Sequence, residues 1–438
     1  MSHRHAKLRY PALQALVGLF ACLDETWSRR RVWGAMQAFA GVFVMVMPGR
    51  AGSYEQACGT LFDWAGMRFG WQSAPDPAGF SRARKRLTVS ECLKVFTLAS
   101  AWADKNLQHV AGPVAGRPLV AVDGTILHLP RAKGLVKRFG VPTDSLGLKE
   151  LAHYPQAMLV SAWDVVRRVP LAWRLTPHAV GERTTFLAML KHLPTDAVLL
   201  LDRGYPSHEV LEAIVASGRD VVMRMVASEI GGSWKPVEDF LASKARRAIV
   251  EIRCGKGRKA KSVKVLLVRR AFSPGRPGRH QSRQLMVVLT TLVDAGLSDD
   301  QVLDLYAKRW GIETLYRDLK SLANVEGWHS KTTAGIEQEL IALMTWFTVS
   351  AVIANAAQEA AGQSVRANCR RVFEGTAYAM EALFMAAATD GRTSELFICR
   401  ANEALRRIEK WANKQRPGRS ATRKPKHPYA RTTEKSRG

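Results

Sequence analysis

Two short apolar runs, each followed by an aspartate, constrain the fold of this chain most. Residues 119–122 precede Asp123, and residues 199–201 precede Asp202. A strand that is apolar on both faces has to be covered on both faces, as in α/β proteins. A carboxylate at the end of such a strand is costly to bury unless it is paired or bound to a cation. One such aspartate is commonly a turn or a helix cap, but two predict a carboxylate cluster at one edge of a sheet.

Strand-like and helical segments alternate around these runs. The strand-like segments include residues 157–163, 169–175 and 220–225, and the helical ones residues 182–193 and 208–217. Hairpin-like strands followed by alternating helices and strands indicate an α/β fold with a mixed sheet. The first hundred or so residues show little strand-like alternation, so we expect them to be helical.

A basic segment at residues 226–283 breaks this alternation. From Arg224 to Arg283 the chain has 16 Lys and Arg residues against four acids. Strand-like runs lie at residues 248–253 and 263–269, so the segment is predicted to be a β-rich insertion in the α/β domain. A returning strand and a long helix that begins near Ser298 should follow it.

The chain is strongly basic. It has 65 Lys and Arg residues against 38 acids, a net charge of +27 and a pI near 10.3. This excess favours association with nucleic acid, although a basic structural protein would show it too. Four cations in residues 82–86 either neutralise DNA phosphates or form a solvated helix face, namely Arg82, Arg84, Lys85 and Arg86.

No sequence feature indicates secretion or membrane insertion. The six cysteines form no CxxC pair, which fits neither a zinc site nor a disulfide framework. The N-terminus lacks the order of a signal peptide, and the apolar run at residues 35–47 is too short to cross a bilayer. We therefore expect a cytoplasmic, nucleoid-associated protein.

A third pattern lies in a predicted helix between residues 306 and 320. At about 100° per residue, one narrow stripe of this helix would carry Tyr306, Arg309, Glu313 and Lys320. An acid flanked by cations and a phenol suits a surface that handles metal and phosphate together. The alternative is an ordinary helix with charge pairs at i,i+4 and i,i+7.

Together these three motifs resemble the DDE transposases of bacterial insertion sequences. Asp123-Gly-Thr, Asp202-Arg-Gly-Tyr and the Tyr306, Arg309, Glu313, Lys320 spacing occur in the order found in that family. The last spacing is similar to the YREK motif of the insertion-sequence-four family, which includes the Tn-five transposase. The match extends from about residue 117 to residue 340, with weaker similarity at residues 81–87. Three motifs in order are much more specific than any one of them.

The resemblance implies an RNase H-like catalytic core with a mixed sheet, interrupted by a β-rich insertion. The expected organisation is a helical N-terminal DNA-binding region, two parts of the core around the insertion, a helical C-terminal region and a basic disordered tail. The corresponding ranges are residues 1–112, 113–225, 226–283, 284–360, 361–413 and 414–438.

The resemblance also implies the chemistry. Asp123, Asp202 and Glu313 would hold two Mg²⁺ ions, with Mn²⁺ able to substitute, because hard cations prefer oxygen ligands. Residues expected to contact DNA are Tyr306, Arg309 and Lys320, and less specifically Arg224, Lys331 and the cations of residues 82–86. Met286 occupies the place where a relative has a base-stacking tryptophan. Trp234 is an alternative for that stacking role, although a core or surface role explains it more simply.

The implied function is metal-dependent cleavage of transposon ends and strand transfer into target DNA. The implied partners are double-stranded DNA, both terminal inverted repeats and target, and a second copy of the chain in a synaptic complex. Two alternatives are a nuclease of the same fold that does not join strands and a DNA-binding regulator without catalysis.

Overall fold

The computed structural model describes most of the chain in several stretches. These are residues 32–48, 52–107, 114, 116–143, 151–226, 234–255, 261–272, 284–361, 365–366, 369–387, 402–403, 406 and 413–414. The predictions for residues 1–31, for parts of the insertion and for the tail from residue 415 fall outside this described part.

The expected helical N-terminal region is present from residue 35. Its helices are α1 Ala35–Val46, α2 Tyr54–Phe69, α3 Pro77–Arg86 and α4 Val89–Asn106. Local sequence explains where the last two begin. Asp76 accepts hydrogen bonds from the backbone of Ala78 and Gly79 at the start of α3. Thr88 and Glu91 cap the start of α4 reciprocally, which satisfies N–H groups that the helix leaves unpaired.

An eight-stranded mixed sheet forms the centre of the described structure. Its order is β3-β2-β1-β4-β5-β8-β7-β6. The strands are β1 Leu119–His128, β2 Gln156–Asp164, β3 Val169–Pro177, β4 Val198–Leu201, β5 Asp220–Met225, β6 Arg247–Cys254, β7 Lys261–Phe272 and β8 Gln284–Thr290. β1, β2 and β3 are antiparallel neighbours, whereas β4 runs parallel to β1 and β5 parallel to β4. The mixed sheet and the positions of the predicted strands are confirmed, although β1 extends beyond its predicted end at Asp123.

Helices cover both faces of this sheet. Alternate residues of β1 enter different apolar cores: Leu119 and Ala121 pack on one face, and Val120 and Val122 on the other. α5 Lys133–Phe139 follows β1. The second face carries α6 Glu182–Met189, α7 His208–Ala216 and α8 Lys235–Ala242. Apolar residues at successive positions of β1 and β4 are explained by this double coverage.

The basic insertion contributes strands to the same sheet. β6 and β7 form an antiparallel hairpin, and β8 joins that hairpin to β5. Trp234, at the start of α8, is buried against His208, with ring centroids 4.9 Å apart. The described strands of the insertion therefore extend the central sheet.

The C-terminal part of the described chain is helical. It contains α9 Asp299–Ala307, α10 Trp310–Ser321, α11 Thr333–Ala361 and α12 Cys369–Ala387, with a small pair of strands β9 Val365–Arg366 and β10 Asn413–Lys414. Within α11, residues 333–355 are long and apolar enough to span a membrane, but 89% of the most apolar stretch is buried inside the protein. It packs with α1 and α4 in the first core.

Candidate active site

The register of two parallel strands brings Asp123 and Asp202 together. The last paired positions are Ala121 in β1 and Leu200 in β4, and each aspartate lies two residues further along its strand direction. Neighbouring strands are about 4.8 Å apart, and residues in register share a face. The two carboxylates therefore lie side by side where β4 ends.

The strand that carries Asp123 is longer than predicted. β1 does not end at the aspartate but continues to His128, paired on one side with β2. β4 stops at Leu201, so the other edge of β1 has no paired strand beyond Ala121 in the described residues. Asp123 thus lies at the open edge of a continuing strand rather than at a strand end.

A tight turn holds Asp202. The backbone N–H of Gly204 donates to Oδ1 of Asp202 at 2.6 Å, and Tyr205 N–H donates to the Asp202 carbonyl at 3.2 Å. The Asp202-Arg-Gly-Tyr motif therefore fixes one carboxylate oxygen by local backbone hydrogen bonding. The other oxygen accepts no bond of this turn.

Glu313 lies on α10, which a buried phenol attaches to β1. Three residues after Glu313, the hydroxyl of Tyr316 donates to the backbone carbonyl of Asp123. Ser161, which pairs with Asp123 across β1 and β2, lies 2.8 Å from the same phenol oxygen. Since Tyr316 gives its proton to the carbonyl, Ser161 is the donor in the second bond. These hydrogen bonds attach α10, which carries Glu313, to β1, which carries Asp123.

The predicted continuous helix from Tyr306 to Lys320 requires correction. The helix is divided into α9 and α10 by a tight turn in which Arg309 N–H donates to the Tyr306 carbonyl at 3.0 Å. Tyr306 and Arg309 are buried, whereas Glu313 and Lys320 are exposed. Residues three apart in such a turn nearly eclipse one another, so Arg309 still contacts both Tyr306 and Glu313.

Arg309 forms the principal contact of Glu313. Its Nη2 donates to Glu313 Oε1 at 2.8 Å, and its guanidinium lies 5.8 Å from the Tyr306 ring centroid. The buried Nε of Arg309 has no hydrogen-bond partner. Next to it, Trp310 is 59% exposed. The i,i+4 charge pair that was the ordinary alternative for this helix is therefore present.

A fourth carboxylate, Glu182, adjoins the two aspartates and was missed by sequence reasoning. It begins α6 directly after Gly181, whose φ of +79° is a backbone conformation that favours glycine. Its Oε1 lies 2.4 Å from where a Cβ of Gly124 would stand. A glycine inside a strand often marks such a close approach, so Gly124 was the available signal.

Burial raises the pKa of Asp123 to about 7. The Gly124 N–H and the charge of Arg309 oppose this rise, whereas the negative charges of Glu182 and Asp202 add to it. The pKa of Glu182 is also raised, by burial first and by Asp202 second. Carboxylates that repel one another in a partly buried site are the environment in which a bound cation stabilises the ionised forms.

The donor chemistry fits a hard divalent cation, but the side chains are not yet arranged around one. In the described part of the chain, no group of three or more His, Cys, Asp or Glu residues is placed to hold a metal ion as it stands. One reason is the ion pair with Arg309, which holds the Glu313 carboxylate. Asp123 and Asp202, with Glu313 after rotation of its side chain, provide the oxygen ligands that Mg²⁺ or Mn²⁺ would require.

Most of the other residues predicted to bind DNA are exposed, and Arg224 is half-buried. Lys320 is exposed and donates to the carbonyl of Ile126 on β1 at 2.7 Å. Arg224 is half-buried on β5 near Tyr306. The other exposed cations are Lys331, Arg82, Lys85 and Arg86.

The prediction that Arg84 is a surface cation is wrong, because this residue is buried and only 3% exposed. Its guanidinium pairs with Glu339 and donates to the Gly335 carbonyl at 2.8 Å and to Gln338 at 3.0 Å. A guanidinium enclosed and bonded in this way is not accessible to a phosphate. Arg84 therefore fastens α3 to α11, and the predicted cluster of four surface cations contains three.

Comparisons with known proteins agree with the motifs. A family model described as Transposase DDE domain matches residues 115–347, more than half of the chain. No curated protein matches the chain. A cryo-EM structure of the piggyBac transposase synaptic complex with hairpin DNA has a TM-score of 0.45 and 12% identity, over 96% of this chain and 88% of that one. A likeness of that size is too weak to establish a shared fold, whereas the family match is sufficient by itself: the chain belongs to the family of transposases with a DDE domain.

Proposed function

We propose that this transposase cuts the ends of a mobile DNA element and joins them to target DNA, using divalent ions bound by Asp123, Asp202 and Glu313. Three observations support the proposal together. The parallel register sets Asp123 beside Asp202, Tyr316 attaches the helix of Glu313 to β1, and members of the family use divalent metal ions. Of these, the convergence of the first two carboxylates at the open edge of β1 carries the most weight.

The proposed reaction has two phosphoryl-transfer steps. In the first, a water oxygen attacks a phosphorus, the bond to the 3′-oxygen breaks, and the proton released by water is balanced by the proton that the 3′-oxygen gains. In the second, this 3′-hydroxyl attacks a phosphorus of target DNA, and a target 3′-oxygen leaves. Bound divalent ions would lower the pKa of the attacking group and stabilise the leaving oxygen.

The chain's own residues would position the DNA. Lys320, at the end of α10, and the exposed cations Lys331, Arg82, Lys85 and Arg86 lie where solvent and phosphates have access. Charged donors of this kind fix the register of DNA without reading its sequence. Arg309 is suited to hold Glu313 in place and to exchange that bond for a phosphate oxygen.

The RNase H-like core is proposed on the antiparallel strands β1 to β3 followed by the parallel strands β4 and β5. Two transposon ends must be brought together before joining, so a homodimer is the proposed assembly on DNA.

The test is a cleavage and joining assay on the element's own terminal DNA, with Mg²⁺, Mn²⁺ or EDTA. Wild-type protein should nick the end and join it to a target plasmid only with a divalent ion. Glu313→Gln should lose both activities and keep its affinity for end DNA, since the carboxamide keeps the shape and loses the charge. Asp304→Asn, an exposed acid on α9, is the control and should remain active.

The outcomes separate the proposed function from its alternatives. Nicking without joining would indicate a nuclease that has the same core. End binding without metal-dependent nicking would indicate a regulator. Unchanged nicking by Glu313→Gln would overturn the assignment of that residue.

A further inference from the structure

Glu182 occupies a prepared position in the carboxylate cluster. We propose that Glu182 is a fourth ligand to divalent cations in this protein, seated on Gly124 and directed at Asp202 and Asp123. This inference rests on the proposed function, because it assigns a residue to the same metal site.

The first support is the space left by Gly124. A Cβ added at residue 124 would lie 2.4 Å from Oε1 of Glu182, 2.6 Å from its Cδ and 2.7 Å from its Cγ. Any side chain at residue 124 would displace the carboxylate of Glu182. The glycine of the Asp123-Gly-Thr motif thus admits Glu182 from the face of the sheet that α6 covers.

The second support is the meeting of acids from both faces of the sheet. Asp123 follows Ala121 on the face packed by α10, whereas Gly124 faces α6. Glu182 is close enough to both aspartates for the charges of the three carboxylates to interact. His178 is near and lowers the pKa of Glu182. Arg309 offsets part of the repulsion at Asp123, as His178 does at Glu182, and a bound divalent cation would offset more of it.

The third support is Tyr205, which points into the cluster from beneath. It is fully buried, and its hydroxyl has no hydrogen bond of normal geometry. The hydroxyl nevertheless approaches Glu182 closely enough to lower the pKa of that carboxyl. A buried donor of this kind is costly unless it gains a partner, and a Glu182 carboxylate drawn onto a cation could accept from it. Positioning of ligand carboxylates by such outer hydrogen bonds is usual at metal sites.

The experiment measures Mn²⁺ binding to the full-length protein without DNA, by calorimetry and by the EPR signal of free Mn²⁺. Asp123→Asn should abolish binding at the site, and Glu182→Gln should weaken it about tenfold or more. Glu209→Gln is the matched control, because Glu209 is exposed in the first turn of α7. It should bind Mn²⁺ as wild type does.

Thermal unfolding distinguishes ligation from a structural role. A ligand that binds only the folded state raises the melting temperature, so the rise on adding Mn²⁺ should be smaller in Glu182→Gln than in wild type. Without metal, Glu182→Gln should be at least as stable as wild type because one repelling charge is gone. A purely structural role would lower the metal-free melting temperature and leave the Mn²⁺-induced rise unchanged.

Gly124→Ala provides a second variant that keeps the glutamate. Its Cβ collides with the flexible end of Glu182 rather than with backbone, so the protein should fold. Mn²⁺ affinity should fall as in Glu182→Gln, and the double variant should be no weaker than either, since both remove one interaction. Gly134→Ala, where nothing lies within 4 Å of the added Cβ, is the control.

Mn²⁺ affinity in Glu182→Gln equal to that of wild type, with Asp123→Asn still abolishing binding, would overturn the inference and leave the proposed function intact. Absence of any Mn²⁺ binding that depends on Asp123 would overturn both.

Discussion

The hydroxyl of Tyr316 donates a hydrogen bond to the backbone carbonyl of Asp123. Trp163 Nε1 donates to Ser161 Oγ at 2.7 Å, and Ser161 in turn bonds to Tyr316 at 2.8 Å. A continuous chain of buried hydrogen bonds therefore runs from β2 through α10 to β1. Because Glu313 is one turn from Tyr316, this chain fixes the backbone that carries Glu313 relative to the strand that carries Asp123.

Tyr316→Phe tests that chain. The change keeps the ring but leaves the Asp123 carbonyl and the Ser161 hydroxyl without their buried partner. We expect a loss of about 1–3 kcal/mol in the free energy of unfolding, together with slower end cleavage. Urea unfolding and the nicking assay would measure these effects.

Tyr154→Phe is the matched control, because Tyr154 is 51% exposed. It should leave both quantities unchanged. Normal cleavage by Tyr316→Phe at full folded population would show that the bond does not position Glu313.

Arg84→Ala should destabilise the protein strongly. It leaves Glu339, whose side chain is 2% exposed, without its cationic partner. Removing one member of a buried pair costs about 3–5 kcal/mol. The measurement is denaturant unfolding, followed by DNA binding of the folded fraction.

Lys85→Gln provides the contrast. Lys85 is exposed in the same helix, so stability should change by less than about 0.5 kcal/mol. If Lys85 contacts a phosphate, the slope of log affinity against log salt should fall by about 1. Equal stability of the Arg84 and Lys85 variants would contradict the structural role of Arg84.

The raised pKa of Asp123 gives a pH dependence with a definite sign. Its folded pKa of about 7 exceeds the ordinary value of 3.8, so between these values the folded protein binds a proton that the unfolded chain does not. Metal-free stability should therefore fall as the pH rises through this window. Mn²⁺ binding displaces the same proton, so its affinity should increase with pH up to about 7.

Asp123→Asn isolates this titration from the others in the chain. The difference in melting temperature between wild type and this variant should change across the window in metal-free buffer. A constant difference from acid to neutral pH would contradict the assigned protonation of Asp123.

The features that the sequence predicts correctly are those determined by residues close together in the chain. Apolar runs before Asp123 and Asp202 had to be buried strands, and β1 and β4 are such strands. Ser298 and Gln301 form the cap that begins α9, near the predicted start. These features depend on neighbours in sequence, so pattern alone locates them.

The sequence predictions fail for residues whose role depends on partners far away in the chain. Arg84 was grouped with surface cations, yet Phe80, Ala83 and Leu87 place it on the buried stripe of α3. Its partner lies on α11, which no local pattern reveals. Glu182 was missed for the same reason, since its significance comes from Gly124 and Asp202.

Asp123, Asp202 and Glu313 are proposed to bind divalent ions together. Diffraction from crystals soaked in Mn²⁺, measured at the manganese edge, would locate those ions. We expect anomalous peaks at about 2.0–2.2 Å from oxygens of Asp123 and Asp202, with Glu313 rotated from Arg309 toward the ion. Saturating Mn²⁺ with no peak between the two aspartates, and with Glu313 still bonded to Arg309, would contradict it.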